Sequence, residues 1–220
     1  MKIDWANDWQ GFELSITTYC QANCPLCVRT DRQTGKLKSY VKLEHSNIDT
    51  IIKTINDVAK YTSCEKIQLC GDYGDPLMHP HIEDIIYEVE KVGLWTSIHT
   101  NGGLRNPGFY KKIAMTTETV FVFGIDGIDE KTNSKYRIGV NFDKAMENMK
   151  TFGAYAKKYY SEWDFLIFDY NYEQLDEAIE IAESNNIKLN FRINTRDWKY
   201  KITDKTLIEH IRSKYKERLL

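Results

Sequence analysis

Cys20-Gln21-Ala22-Asn23-Cys24-Pro25-Leu26-Cys27 sets three thiols at the spacing C-x3-C-x2-C, shortly after Phe12-Glu13-Leu14-Ser15-Ile16-Thr17. In that second stretch apolar Phe12, Leu14 and Ile16 alternate with polar neighbours, the period-2 signature of a strand. The thiols therefore lie in a loop at a strand's carboxyl end. Soft thiolates favour an iron–sulfur cluster or zinc. Structural zinc takes four ligands, commonly from two paired knuckles. The chain has no second C-x2-C and no H-x3-H, and its five histidines are scattered along the sequence. A four-iron cluster on three cysteines leaves one iron open, like the vacant position of a catalytic metal site. The alternative is a non-enzymatic iron–sulfur or zinc-binding protein that uses the triplet structurally, zinc being completed by distant Cys64, Cys70 or His45. Cys64 and Cys70 otherwise read as small buried apolar residues.

Beyond the thiols the hydrophobic period alternates between helix and strand. Ile48, Ile51, Ile52, Ile55 and Val58 mark a helix, with Ser46 and Asp49 as a capping box. Lys66–Leu69 is a second strand, followed by a helix with Ile82, Ile85, Ile86 and Val89 that stops near Gly93. Strands at 94–99, 120–123, 165–168 and 189–193 follow, each with a helix after it, the last near 203–217. Six strand–helix units imply a parallel sheet with right-handed crossovers. A doubly wound sheet and an open, partial barrel both fit, since a complete eight-unit barrel takes about 250 residues. No linker or change of composition divides the chain, so residues 1–220 read as one domain with a core over 12–194. Gly71-Asp72-Tyr73-Gly74-Asp75-Pro76, Thr100-Asn101-Gly102-Gly103 and Asp126-Gly127 also follow strand ends, the face where such folds bind ligands.

Charge excludes several classes of function. The 30 basic and 32 acidic residues leave a net charge of -2, which supplies no basic field for nucleic acid. No apolar run reaches the roughly 18 residues of a membrane span, and Met1-Lys2-Ile3-Asp4-Trp5 lacks the apolar core of a signal peptide. Five cysteines, an odd number, argue against a disulfide framework, and a cytoplasmic location is expected. A phosphate-binding module on the Gly71–Asp75 loop is weakened by the absence of GxGxxG and GxxxxGK[ST]. Trp5 and Trp9, and the group Tyr155, Tyr159 and Tyr160, read as core or cap.

These motifs, in this order, resemble the radical S-adenosylmethionine (SAM) superfamily over roughly Phe12 to Asn194, nearest to its peptide- and cofactor-maturing branch but without that branch's cysteine-rich C-terminal extension. The resemblance implies a partial (β/α)6 barrel, a parallel sheet with outer helices. It also implies a [4Fe-4S] cluster on Cys20, Cys24 and Cys27, whose open iron binds the amino and carboxylate groups of SAM. Reductive cleavage of SAM would then give a 5′-deoxyadenosyl radical that removes hydrogen from a substrate, peptide or small molecule. An electron donor such as flavodoxin or ferredoxin is the implied partner. Tyr73, Gly74, Asp75 and Pro76 resemble the family's GGEP segment, which meets the methionine amino group, with Asp75 one carbon shorter than the usual Glu. Thr100-Asn101-Gly102 is similar to its TNG turn, and Gly124-Ile125-Asp126-Gly127 to its SIDG segment, with Gly124 in place of the serine. Tyr136-Arg137-Ile138-Gly139 resembles YR-x-G, whose arginine holds the SAM carboxylate. In the sixth strand Asn190, Arg192 and Asn194 alternate with Leu189, Phe191 and Ile193. Arg192 is thereby expected to face inward or to solvent, as a ligand contact or as part of an internal hydrogen-bond network.

Overall fold

Strand–helix units follow one another without interruption through the computed structural model, which describes residues 11–220; Trp5 and Trp9 lie outside them. The strands are β1 (Gly11–Glu13), β2 (Lys66–Leu69), β3 (Trp95–Thr100), β4 (Val120–Gly124), β5 (Ser161–Ile167) and β6 (Ile187–Ile193). The helices are α1 (Ile48–Tyr61), α2 (Ile82–Lys91), α3 (Pro107–Thr116), α4 (Glu130–Asn133), α5 (Phe142–Tyr155), α6 (Leu175–Glu183) and α7 (Lys205–Lys214).

All six strands are parallel and pair in chain order, β1 to β6. A doubly wound sheet reverses its strand order at a switch point, and this sheet never does. Right-handed crossovers wound in one direction put the helices on one face and leave the other face concave and open. This is a partial TIM-like barrel that backbone hydrogen bonds do not close. Ile67, Leu69, Ile98, Phe121, Phe123, Trp163, Phe165, Leu189 and Phe191 turn outward and are buried beneath the helices. The inward positions include the polar Lys66, Gln68, His99, Glu162, Asp164 and Arg192, together with the apolar Val122 and Leu166. An apolar outer layer and a largely polar inner one explain why β2, β6 and the first half of β5 alternate, whereas β4 is apolar on both faces.

Several boundaries differ from the sequence reading. The cap of α1 is Asn47, whose side chain accepts from the backbone N–H groups of Asp49 and Thr50; Ser46 lies one residue outside it. β1 ends at Glu13, and the alternating stretch beyond it leaves the sheet to bridge His45 through Thr17. β5 begins at Ser161, because inward Glu162 and Asp164 interrupt the apolar run that marks its second half. Helix α4 is a single turn, capped by Asp129, too short to show a hydrophobic period. The closing helix stops at Lys214, and the chain then turns back to pair with β6, Phe191 N–H donating to Arg218 O and Leu220 N–H to Phe191 O. Tyr155 and Tyr159 are exposed rather than core, each beneath a lysine, and Tyr160 donates to Glu118.

Candidate active site

The loop after β1 turns tightly through Cys20–Cys27, with Cys27 N–H donating to Cys24 O and Thr30 N–H to Cys27 O. The thiols of Cys20, Cys24 and Cys27 line one cavity of about 240 Å³ at the carboxyl ends of the strands. Burial pushes the Cys20 thiol up to about 12, with Asp75 adding to the effect. Burial raises Cys24 as well, and Arg137 opposes it.

The donor set decides which metal species fits. Among the described residues no three His, Cys, Asp or Glu side chains converge on a point where one ion could sit. A mononuclear zinc site needs that convergence. Three thiols spread around one cavity wall fit a polynuclear cluster, in which each thiolate takes its own iron. Of the distant zinc partners, His45 is bonded to Thr17 Oγ1 (2.9 Å) and stacked on Tyr19, and Cys64 lines a separate depression beside Trp95. Cys70 does line the cavity, only partly buried, so neither it nor Cys64 is the fully buried filler expected.

The Gly71–Pro76 segment is bound to its surroundings on both sides. Asp75 N–H donates to Tyr19 O (2.8 Å), and a Cβ on Gly74 would stand 2.3 Å from Thr17 O, so only glycine permits this approach. The Asp75 carboxylate is buried and accepts four hydrogen bonds: from Leu77 N (3.0 Å), Thr100 Oγ1 (2.8 Å), Asn101 N (3.0 Å) and Asn101 Nδ2 (2.7 Å). It joins the loop after β2 to the loop after β3. Burial raises its pKa, and these donors act against that rise. Asn101 also donates to Cys20 Sγ (3.8 Å) and accepts from Gln21 Nε2 (2.6 Å), which extends the same network to the cysteine loop. Tyr73 and Pro76 do not line the cavity; Tyr73 contributes its carbonyl, which accepts from Arg29 Nη1 (3.0 Å).

Arg137 and Asp126 form one unit. Asp126 is fully buried, its Oδ1 accepting from Leu166 N (2.8 Å) and its Oδ2 from Arg137 Nε (2.6 Å). It lies behind the cavity wall, whereas Arg137 lines the cavity. Burial pulls the guanidinium pKa down, but Asp126, Cys24 and Tyr136 hold it above its ordinary value. The Nη edge lies against Gly124, where a Cβ would stand 2.5 Å from Nη2. Gly124 therefore leaves the space that the guanidinium fills. The turn carrying Arg137 packs on the cysteine loop: Asn23 N–H donates to Ile138 O (2.8 Å), and Gly139, at φ +87°, approaches Gln21 O.

Arg192 is half exposed, and its Nε pairs with Asp164 Oδ2 (3.1 Å). Of the two alternatives, the internal network is present: Asn190 Nδ2 donates to Glu162 (2.9 Å) and Asp164 (3.2 Å). Sequence reasoning missed Arg29, Arg196, His99 and Asp164. Arg196 clamps the site from beyond β6, with Nη1 donating to Leu26 O and Nη2 to Tyr136 Oη, both at 3.0 Å. It follows a strand end, as the recognised motifs do, and that position was its one signal. The scattered histidines partly assemble: His45, His79 and His81 line up behind the Asp75 loop with successive ring centroids 5.3 and 6.1 Å apart.

The family model for the radical SAM superfamily matches residues 14–182. The chain belongs to this superfamily. A curated relative, the tungsten-containing aldehyde ferredoxin oxidoreductase cofactor-modifying protein of Pyrococcus furiosus, is 27% identical over 122 residues, covering 54% of this chain and 32% of its own length. Streptococcus suis SuiB bound to S-adenosylmethionine superposes with a TM-score of 0.72 at 19% identity, over 94% of this chain and 49% of SuiB. SuiB bound to its precursor peptide SuiA gives 0.74 at 18%, over 95% of this chain and 46% of SuiB. Methylornithine synthase gives 0.61 at 16%, over 95% of this chain and 63% of that enzyme. The radical SAM chain described here thus spans about a third of its curated relative and about half of SuiB. Enzymes of the superfamily use a [4Fe-4S] cluster and SAM. Among the described residues no helix is long and apolar enough to cross a membrane.

Proposed function

We propose that this chain is a radical SAM enzyme that holds a [4Fe-4S] cluster through Cys20, Cys24 and Cys27 and binds SAM between Asp75 and Arg137. The observation that carries the reading is a single cavity lined by all three thiols, by the Gly71–Asp75 loop and by an arginine fork whose Nη edge is not engaged by Asp126. When bound, the cluster supplies the electron that cleaves the SAM sulfonium and yields a 5′-deoxyadenosyl radical.

The chain's own groups would act as follows. The Gly74–Asp75 backbone offers carbonyl acceptors to the SAM ammonium. Asp75 acts indirectly, fixing Thr100 and Asn101 relative to the loop. The Arg137 Nη edge pairs the SAM carboxylate bidentately, and Asp126 aims it. Arg29 and Arg196 hold the cysteine loop in shape through Tyr73 O and Leu26 O. Tyr73, Pro76 and Asp126 are thereby supporting residues, and Arg192, which lies outside the cavity lining and is held by Asp164, is not assigned to SAM.

A ferredoxin- or flavodoxin-type donor would deliver the electron, and five unpaired thiols suit a reducing, cytoplasmic compartment. The substrate is a peptide or a small molecule: SuiB is described with a precursor peptide, and the Pyrococcus relative as modifying a cofactor.

The test is anaerobic reconstitution followed by dithionite and SAM. Methionine and 5′-deoxyadenosine are expected, with iron loading lost in Cys20→Ala, Cys24→Ala and Cys27→Ala and retained in Cys64→Ala and Cys70→Ala. Full loading of Cys24→Ala, or a loaded protein that never forms 5′-deoxyadenosine, overturns the reading.

A further inference from the structure

The cavity continues below the thiols onto the inner face of the sheet, where Cys70, His99, Val122 and Asp164 line it. Strand register explains why these residues meet. His99 pairs with Val122 and Val122 with Glu162, making one inward row, and Gly124, Asp164 and Asn190 make the next. Apart from Gly124, which the Arg137 guanidinium packs against, neither row belongs to the thiol, Asp75 or Arg137 machinery.

Two groups have unused hydrogen-bonding capacity: His99, which lines this floor, and Arg192, which stands outside the lining at its edge, bonded to Asp164. His99 is largely buried, and among the described residues neither of its ring nitrogens has a hydrogen-bond partner. Burial lowers its pKa; Arg192 and Lys66 act in the same direction, against Asp164 and Glu162. The ring is therefore neutral near pH 7, offering one donor and one acceptor. Arg192 spends only Nε on Asp164, and among the described residues its Nη atoms are unpaired. The neighbouring lysines are engaged, Lys188 with Glu162 (3.2 Å) and Lys66 over the Trp95 ring. The floor and its edge thus carry balanced pairs, Asp164 with Arg192 and Glu162 with Lys188, and one free planar fork. A fork of this kind matches a carboxylate bidentately. A dianionic group would meet two nearby carboxylates as well.

We propose that His99 and the Nη edge of Arg192 form a substrate subsite for a ligand bearing a carboxylate, with an adjacent amide or hydroxyl that hydrogen-bonds the imidazole. This rests on the radical SAM reading, since the subsite opens into the cavity where the radical would form. The carboxylate can come from a small acid or from a side chain within a peptide.

The experiment is isothermal titration of the anaerobic, cluster-bearing protein with SAM present. The probes are N-acetyl-L-alanine and the acetylated, amidated pentapeptide Ala-Ala-Asp-Ala-Ala. The controls are N-acetyl-L-alaninamide and the same pentapeptide with Asn replacing Asp. One acid probe is expected to bind at least ten-fold tighter than its neutral control, and which one does so identifies the source. Arg192→Gln and His99→Phe should each weaken it about ten-fold, with part of the Arg192 effect restored in Arg192→Lys. The proposal falls if neither acid binds, if acid and control bind alike, or if both Arg192→Gln and His99→Phe bind as the wild type does. The titration requires no SAM cleavage, so its failure leaves the radical reading intact; 5′-deoxyadenosine formation tests that reading separately.

Discussion

Arg137 is useful to the site because Asp126 holds it by Nε alone, leaving the planar Nη edge against Gly124 and the cavity. Removing the guanidinium strands a buried carboxylate, so Arg137→Ala should lower unfolding stability by about 3 kcal/mol in denaturant melts. Arg137→Lys keeps a charge beside Asp126 but cannot present a fork; it should fold and bind SAM about ten-fold more weakly by titration. Gly124→Ser tests the same geometry from the other side, since its Cβ would enter the volume of Nη2 while Asp126 prevents the arginine from retreating. It too should weaken SAM binding, and unchanged affinity in both Gly124→Ser and Arg137→Lys would remove Arg137 from the SAM site. Asp75→Asn replaces an acceptor of four hydrogen bonds with a group that turns an NH2 toward their donors. Its expected cost is about 2–3 kcal/mol in melts, with SAM binding reduced as the loops after β2 and β3 separate.

At the level of elements, each recognised motif is supported by a neighbouring segment. The loop after β3 is held by α5, whose Asn148 Nδ2 donates to Gly102 O (2.8 Å) and Leu104 O (3.1 Å). The turn bearing Arg137 is set by α4, through Asn133 O accepting from Arg137 N (2.8 Å) and Asn133 Oδ1 from Asp126 N (2.9 Å). Helix α1 provides a direct check of cap assignment. Asn47 satisfies two otherwise free N–H groups, so Asn47→Ala should cost about 1 kcal/mol. Ser46→Ala should stay within about 0.5 kcal/mol, because the Ser46 contribution is its carbonyl, which accepts from His79 Nε2. Equal losses in the two variants, measured by denaturant midpoint, would return the cap to Ser46.

Across the whole molecule, His79 joins two of the loops that form the site. It is buried, with Nε2 at 3.0 Å from Ser46 O before α1 and Nδ1 accepting from His81 N (3.2 Å) before α2. Both nitrogens are used by the neutral ring; a second proton would have to displace the His81 N–H. Burial lowers the pKa of His79 below its ordinary 6.5, and His45, His81 and Arg105 add to this while the Ser46 hydrogen bond opposes it. The unfolded chain therefore binds the proton more readily than the folded one, and the stability gained is complete above pH 6.5 and declines as pH falls through that value. Melts between pH 7.5 and 5 should show this decline in the wild type and a shallower one in His79→Gln. Identical slopes would exclude His79 as the source.

The strand–helix alternation, the cysteine spacing and the glycine-rich turns were legible in the sequence because each is a property of contiguous residues. A period of 2 or 3.6, or a C-x3-C-x2-C loop, needs no partner from elsewhere in the chain. The same locality limited the reading. Glu162 and Asp164 concealed the first half of β5, since nothing local shows that they face inward. Asp126 and Arg137 were both recognised, yet that one holds the other depends on a turn folding back across eleven residues. Asp75 was legible as a loop residue, but its four donors come from two different loops. His99, Asp164 and Arg192 become neighbours only through the register of β3 to β6. Strand order chose the open barrel over the doubly wound sheet, and so decided which face became the cavity. Local pattern determined what the elements are and which loop bears the thiols; pairing across the sheet, a long-range contact that no local pattern encodes, decided which side chains meet there.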